Sequence, residues 1–410
     1  MKTDLDGLMQ AQNVDALLVS GPAKHNPAMV YMTGGANLTM GHVIKKRGEP
    51  AVLFFAPMER DEAARTGMVS RNYMTYPQFR AALQGDLDQH AAMLQAMLKD
   101  AGVTGGRLAF YGDVNAFRHY GIVARLLKLM PDLRVADSAE DDVILNAMST
   151  KDEGEVARIR RMGQITTEVV RATADLLMSN RVKDEVLYQA DGEPLTIGAV
   201  KRQIDVWLME RGAENPEGTI FAIGRDAGVP HSTGTESDVL RLGQTIVFDI
   251  FPCEAGGGYF HDFTRTWCLG HAPDEVVKLY EDVKTVNETL VAELEVGKPF
   301  FHYQKRTCEL FEEMGHATVM SNPGTEDGYV HSLGHGVGLK VHELPMCSYQ
   351  PNGGQTNVLT PGQVIAIEPG LYYPERGMGV RLENTYYITP DGKFENLAPY
   401  PMDLVLPVKR

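Results

Sequence analysis

Ile246-Val247-Phe248-Asp249-Ile250-Phe251 is apolar on both sides of a single carboxylate. The run from Thr245 to Phe251 reads as a buried strand, and a buried strand has no ordinary use for Asp249. A charge withdrawn from water must be paired or bound to metal; otherwise the group shifts its pKa and takes up a proton. The same anomaly recurs at Glu368, which follows Val364-Ile365-Ala366-Ile367, and at Glu383, inside Val380-Arg381-Leu382-Glu383-Asn384-Thr385-Tyr386. A salt-bridge network is the plain alternative. The one obvious cation for it is Arg381, read as two residues from Glu383 on the same strand face.

Outward from Asp249, Gly256-Gly257-Gly258 reads as a hairpin turn, because no G-x-x-x-x-G-K-[ST] pattern accompanies it to make a phosphate cradle. Such a hairpin returns Asp262, in Tyr259-Phe260-His261-Asp262-Phe263-Thr264-Arg265-Thr266, toward Asp249. His335, in His331-Ser332-Leu333-Gly334-His335-Gly336-Val337-Gly338, adds an imidazole to the four carboxylates. Carboxylates and imidazole suit hard or borderline divalent ions, and four negative ligands balance two such ions with room for a hydroxide. Two ions about 3.5–4 Å apart can draw a nucleophile from water at neutral pH and polarise the carbonyl it attacks, so hydrolysis is the expected reaction class.

The flanking sequence divides in two. Up to about residue 145, strand-like runs at Ala16 to Val19, Ala51 to Ala56 and Arg107 to Tyr111 alternate with helical patterns such as Gln89 to Ala101. This gives an α/β domain over residues 1–148. Its His25, His42, His90 and His119 have no spacing that sets two of them on one helix face or strand, and each reads as a surface or core histidine. Thr150 and Glu153 have capping-box spacing, so a second domain, residues 149–410, opens on a helix. Val156, Ile159, Met162, Ile165, Val169 and Leu176 form its apolar face. Helical patterns at Ile197 to Arg211, Pro273 to Leu294 and Tyr303 to Met314 then flank strand-like Thr245 to Phe251, Val364 to Ile367 and Val380 to Thr389. Helices against an antiparallel sheet, an α+β domain, are expected.

Composition agrees with two folded domains. The 410 residues exceed what one core usually holds, and 43% apolar with 23% charged residues leaves no reason for extensive disorder. A net charge of −15, with no cluster of Lys and Arg, argues against nucleic acid as a partner. No run approaches the roughly 20 apolar residues of a membrane span. Met1-Lys2-Thr3-Asp4-Leu5-Asp6 has acids where a signal peptide needs an apolar run, so a cytoplasmic location is expected. Cys253, Cys268, Cys308 and Cys347 form no C-x-x-C pair and read as reduced, buried thiols.

The order Asp, Asp, His, Glu, Glu resembles the metal-binding series of the pita-bread metallopeptidases, which include methionine aminopeptidase, prolidase and aminopeptidase P. The resemblance extends to G-Y-x-x-D-x-T-R-T at Asp262, G-H-G-V-G-L-x-V-H-E from Gly334 to Glu343, I-E-P-G at Glu368 and G-V-R-L-E at Glu383. It covers most of residues 150–410, and the preceding domain is only loosely similar to the N-terminal domain of creatinase and prolidase. What it implies is a pita-bread domain with a curved antiparallel sheet, two divalent ions (manganese before cobalt, iron or zinc), a small peptide substrate and a homodimer. Asp249 would chelate one ion, Asp262 and Glu383 bridge both, and His335 and Glu368 complete the second, with Glu368 also a proton shuttle. His231 and His342 fall where the family places histidines that contact substrate and steady the tetrahedral intermediate. His331 and Arg381 are similar to residues of the proline-specific branch, which implies cleavage of Xaa-Pro bonds by a dipeptidase or an N-terminal aminopeptidase.

Two departures stand out. Asp262 follows Asp249 by 13 positions, longer than the usual spacing, which opens the question of whether Glu254 or His261 enters the site. Asn384 follows Glu383 where an aspartate is frequent. A pita-bread hydrolase or lyase acting on a small nitrogenous or sulfonium metabolite, as creatinase, ectoine hydrolase and a dimethylsulfoniopropionate lyase do, is the alternative within the fold. A catalytically silent binding module is the alternative of another class.

Overall fold

The structure, a computed structural model, describes residues 4–137, 142–347 and 357–408. The chain divides into two compact units, Met1–Met148 with Gly256–Gly258, and Ser149–Ala255 with Tyr259–Arg410.

The first unit is built on a six-stranded mixed sheet. Its order is Val69–Asn72, Val52–Phe55, Gly41–Lys46, Ala16–Gly21, Gly106–Gly112 and Leu133–Val135. The central Ala16–Gly21 strand runs antiparallel to Gly41–Lys46 and parallel to Gly106–Gly112. Leu17, Leu18 and Val19 are fully buried, as a strand covered on both faces requires. The helices Leu87–Asp100 and Ala116–Leu129 place Leu94, Met97, Leu98 and Leu126 in the same core as Leu18, Ile44 and Phe54. Histidines that sequence spacing kept apart meet here: His42 accepts or donates at Tyr73 Oη (2.5 Å), and its ring stands edge-on to that of His90 at 6.2 Å.

The second unit opens on the helix Glu153–Ser179. Its capping box is formed by Asp152 and Glu155, not by Thr150 and Glu153. Asp152 Oδ1 accepts from Glu155 N–H at 2.9 Å, and Glu155 Oε2 accepts from Asp152 N–H at 2.8 Å. Thr150 is instead engaged in an antiparallel bridge with Gln363, which leaves the cap to the next suitable oxygen. The expected apolar face is buried from Val156 to Val169, but Leu177 replaces Leu176 at its end. At about 100° per residue, Leu177 falls at the centre of the buried arc and Leu176 at its edge.

The helices Ile197–Glu210, Asp274–Glu293 and Phe300–Glu313 follow, and two larger sheets, beside two-stranded pairs, make up most of the strand structure. One has four strands, Thr219–Ile223, Thr245–Ile250, Phe263–Leu269 and Val405–Leu406, and its last pair is parallel rather than antiparallel. The other has five antiparallel strands in the order Glu343–Met346, His335–Gly336, Val364–Ile367, Asn384–Ile388 and Phe394–Asn396. The run Val380 to Thr389 is not one strand. Met378–Arg381 pairs with Gly370–Tyr373, the chain leaves the ladder at Leu382 and Glu383, and Asn384–Ile388 joins the five-stranded sheet. At the break, Leu382 N–H donates to Pro369 O and Glu383 N–H donates to Thr264 O at 3.1 Å, so the backbone is satisfied outside a regular strand. Arg381 and Glu383 therefore do not share a strand face.

The hairpin after Asp249 pairs Asp249 with Thr264 and Ile250 with Phe263. It continues outward through His261 N–H to Pro252 O and Glu254 N–H to Tyr259 O, which accommodates the long spacing. Gly256 and Gly257, at φ +93° and +83°, supply the left-handed turn. All four cysteines are buried, and none is in a disulfide. Among the described residues no helix is long and apolar enough to cross a membrane.

Candidate metal centre

Five ionisable groups converge between the two larger sheets of the second unit because each stands at a strand end or break. Asp249 is the penultimate residue of Thr245–Ile250, Asp262 immediately precedes Phe263–Leu269, and Glu368 immediately follows Val364–Ile367. His335 begins a two-residue strand with a register shift beside Gly336, and Glu383 occupies the break before Asn384–Ile388. Ligand atoms of Asp262, His335 and Glu383 all lie within 4.8 Å of one another. His335 Nε2 is 3.6 Å from Asp262 Oδ2 and 3.5 Å from Glu368 Oε1.

The protonation pattern follows from burial and like charge. Burial, then Glu383, Asp249 and Glu368, hold the Asp262 carboxyl well above the ordinary range. Burial and the neighbouring carboxylates do the same to Glu368, and burial followed by Asp249 pushes Glu383 up to about 8. Burial, with His342 close by, lowers His335 to about 3, so its imidazole is neutral. Its Nδ1–H points to Gly336 O at 3.1 Å, leaving the Nε2 lone pair facing the carboxylates. Asp249 Oδ1 and Glu383 Oε1 are buried without a hydrogen-bond partner. Crowded carboxylates, a free imidazole lone pair and two orphaned oxygens form a donor set that fits divalent cations, whose charge reverses the mutual repulsion.

Arg381 organises the rim of this cluster. It is buried; Nη2 donates to Asp249 Oδ2 at 2.5 Å, Nη1 to Tyr372 Oη at 2.7 Å and Nε to Thr264 Oγ1 at 3.3 Å. Tyr372 in turn donates to His331 Nε2 at 2.9 Å, since His331 Nδ1–H is directed at Ser332 O at 2.7 Å. Thr264 Oγ1 donates to Glu383 Oε2 at 2.8 Å. Arg265, fully buried, holds Glu383 O at 2.7 Å and Asn384 Oδ1 at 2.9 Å, so the asparagine that replaces a frequent aspartate accepts a charge-assisted hydrogen bond.

His342 stands at the edge of the cluster with its ring 4.2 Å from that of His335. His231 is exposed, follows Pro230, whose carbonyl accepts from Arg381 at 3.2 Å, and lies close enough to His331 and His342 to act on both electrostatically. Glu254 forms a bidentate pair with Arg158, and His261 packs against Gly163 in the long helix. Tyr372 and Thr264 escaped the sequence reading. Thr264 lies in the T-R-T motif opposite Asp249, which is a usable signal; a tyrosine in an apolar strand offers none.

Residues 157–390 match metallopeptidase family M24, more than half of the chain, and the protein belongs to this family of metallopeptidases. The Xaa-Pro dipeptidase of Pyrococcus horikoshii is 26% identical over 389 residues, covering 94% of this chain and 93% of that one. The crystal structure of a prolidase from the same organism superposes with a TM-score of 0.72 at 23% identity, covering 98% of each chain. That of an X-Pro aminopeptidase from Thermotoga maritima gives 0.72 at 21% identity, covering 96% and 98%. The fold is thus the pita-bread catalytic domain preceded by an α/β domain. Family membership implies divalent metal ions, and Asp262, His335 and Glu383 form a group able to hold one.

Proposed function

We propose that the protein hydrolyses Xaa-Pro peptide bonds, in a dipeptide or at a peptide N-terminus, with two divalent ions held by Asp249, Asp262, His335, Glu368 and Glu383. The observation that carries this reading is the buried carboxylate cluster with its orphaned Asp249 and Glu383 oxygens, in a chain of family M24. The names of the relatives, Xaa-Pro dipeptidase and prolidase, support the substrate class.

When bound, the ions acidify water and polarise the scissile carbonyl. Glu368, partly exposed at the end of its strand, accepts the water proton and returns it to the leaving imino nitrogen. His342 and His231 donate toward the carbonyl oxygen as negative charge develops there. Arg381 fixes Asp249, and Tyr372 fixes His331, so the substrate meets a preset frame. The reading extends to manganese as the preferred ion, to a homodimer and to a reducing cytoplasmic setting; four buried thiols without a disulfide support the last. Metal analysis and mass photometry of the purified native protein check the first two.

The test is hydrolysis of Ala-Pro, Ala-Pro-Ala and Ala-Ala by chelated enzyme reconstituted with manganese, cobalt, iron or zinc, beside Glu368→Gln. Metal-dependent cleavage of Ala-Pro but not Ala-Ala, lost in the variant, is expected, and Ala-Pro-Ala separates dipeptidase from aminopeptidase. No cleavage by any loaded form overturns the reading in favour of a small-metabolite hydrolase or lyase.

A further inference from the structure

We propose that the buried ion pair between Lys151 and Glu343 positions His342, an inference that rests on the role in hydrolysis given to that histidine above. The two side chains are 1% and 0% exposed, and Lys151 Nζ contacts Glu343 Oε1 directly. Both residues are tied to one sheet. Lys151 N–H donates to Gly362 O at 2.7 Å, just before the Val364–Ile367 strand, and Glu343 stands opposite Gly336.

Between Gly336 and Glu343 the chain doubles back on itself. Val337 N–H donates to Val364 O at 2.9 Å, Gly338 N–H to Lys340 O at 3.0 Å, and Phe260 N–H to Gly338 O at 2.8 Å. The Glu343 carboxylate fills the hollow of this loop: a Cβ added to Gly338 would stand 2.1 Å from Glu343 Oε1. The loop is therefore wrapped around a carboxylate anchored on Lys151, and it delivers His342 beside His335.

An ion pair at this depth is an inefficient source of stability, because well-packed apolar residues do as well or better. Glu343 Oε2 is in addition buried with no hydrogen-bond partner. What the pair supplies is direction, an oxygen held at one point by a fixed ammonium. His342 needs it, since no side-chain hydrogen bond among the described residues holds its ring, and its aim depends on where the adjoining backbone lies.

The test compares wild type, His342→Ala, the double variant Lys151→Met/Glu343→Met and the triple combination, all reconstituted with manganese and assayed on Ala-Pro. The double variant leaves no unpaired buried charge, so it is expected to keep its thermal midpoint and metal content. Its kcat should fall at least about tenfold at little-changed KM. Adding His342→Ala should cost no more than about twofold further, since groups that act as a unit are not additive. The rate of diethyl pyrocarbonate modification, mapped by mass spectrometry, should change at His342 and not at His231. Wild-type kcat in the double variant, multiplying losses in the triple, or an unchanged modification rate overturns the proposal. Should the double variant fail to fold, Lys151→Met/Glu343→Gln, which keeps the shape of the carboxylate and again leaves no buried charge, carries the same comparison. Wild-type activity in His342→Ala alone also overturns it. Absence of hydrolysis by wild type strikes the proposed function instead, and the modification rate at His342 then decides the effect of the pair.

Discussion

Arg381 Nη2 donates to Asp249 Oδ2 at 2.5 Å across 132 positions of sequence. The pairing is not with Glu383, two residues away, because the chain changes sheets between Arg381 and Asn384. One planar guanidinium thus aligns a carboxylate, the Tyr372 hydroxyl and Thr264, three acceptors that a single ammonium does not span.

Arg381→Lys is accordingly expected to behave as a disruptive change. It leaves Asp249 or Tyr372 without its donor, and loss of such a supporting contact typically lowers metal affinity or activity about 10–100-fold. Calorimetric titration of manganese into chelated enzyme, with kcat/KM on Ala-Pro, measures both; wild-type values would remove Arg381 from the account of the site.

Tyr372→Phe deletes the hydroxyl that links Arg381 to His331 while keeping the ring in the core. A single hydrogen bond is worth about 1 kcal/mol, so kcat/KM should fall roughly fivefold with metal content unchanged. A loss of bound metal would show that the tyrosine acts through Asp249 rather than through His331.

Metal removal should make stability depend on pH in a specific direction. The Asp262, Glu368 and Glu383 carboxyls sit above their ordinary range in the folded chain, Glu383 at about 8. The folded form then binds more protons than the unfolded one, so its stability is full below the ordinary carboxyl range and is lost as pH rises toward 8. Chelated protein should melt lower at pH 8 than at pH 6.5, and each ~1 kcal/mol moves the midpoint by about 2–4 °C for a domain of this size. Added manganese should flatten the profile; a chelated protein whose midpoint rises over that interval would contradict the burial of these carboxyls.

The first unit should respond in the opposite sense. Burial lowers His42 to about 3 and His90 to about 4, and it lowers His119 as well. These folded values lie below the ordinary histidine value, so stability is complete above pH 6.5 and falls as pH drops through the folded values. His90 Nδ1 is also buried without a partner. His90→Leu should therefore raise the calorimetric midpoint at pH 5 more than at pH 7.5, and equal shifts at the two pH values would point to packing alone.

How much of this was legible in the sequence differs between particular residues. Asp249 was conspicuous because a charge in an apolar strand needs a partner, and the spacing of glycines after it marked a turn whose left-handed φ values the structure contains. The helix cap is ambiguous in sequence because overlapping T-x-x-E and D-x-x-E patterns satisfy the same local rule, and the pairing of Thr150 with Gln363 decides for Asp152 and Glu155. The break at Glu383 had no local signal, since Val380 to Thr389 contains no glycine or proline to end a strand. The meeting of His42 with His90 likewise depends on a strand and a helix that share no sequence period.

The sequence by itself determined which residue types are out of place in an apolar setting, and hence which class of chemistry a fold of this chain must accommodate. Periodicity and the cost of burying charge are local properties, readable one segment at a time. Only the tertiary structure decided who pairs with whom: Arg381 with Asp249 rather than Glu383, Thr264 with Glu383, and Lys151 with Glu343 across 192 positions. Those choices depend on strand register and on where the chain leaves a sheet. They are settled by packing and hydrogen bonding summed over the whole domain, which no single segment contains.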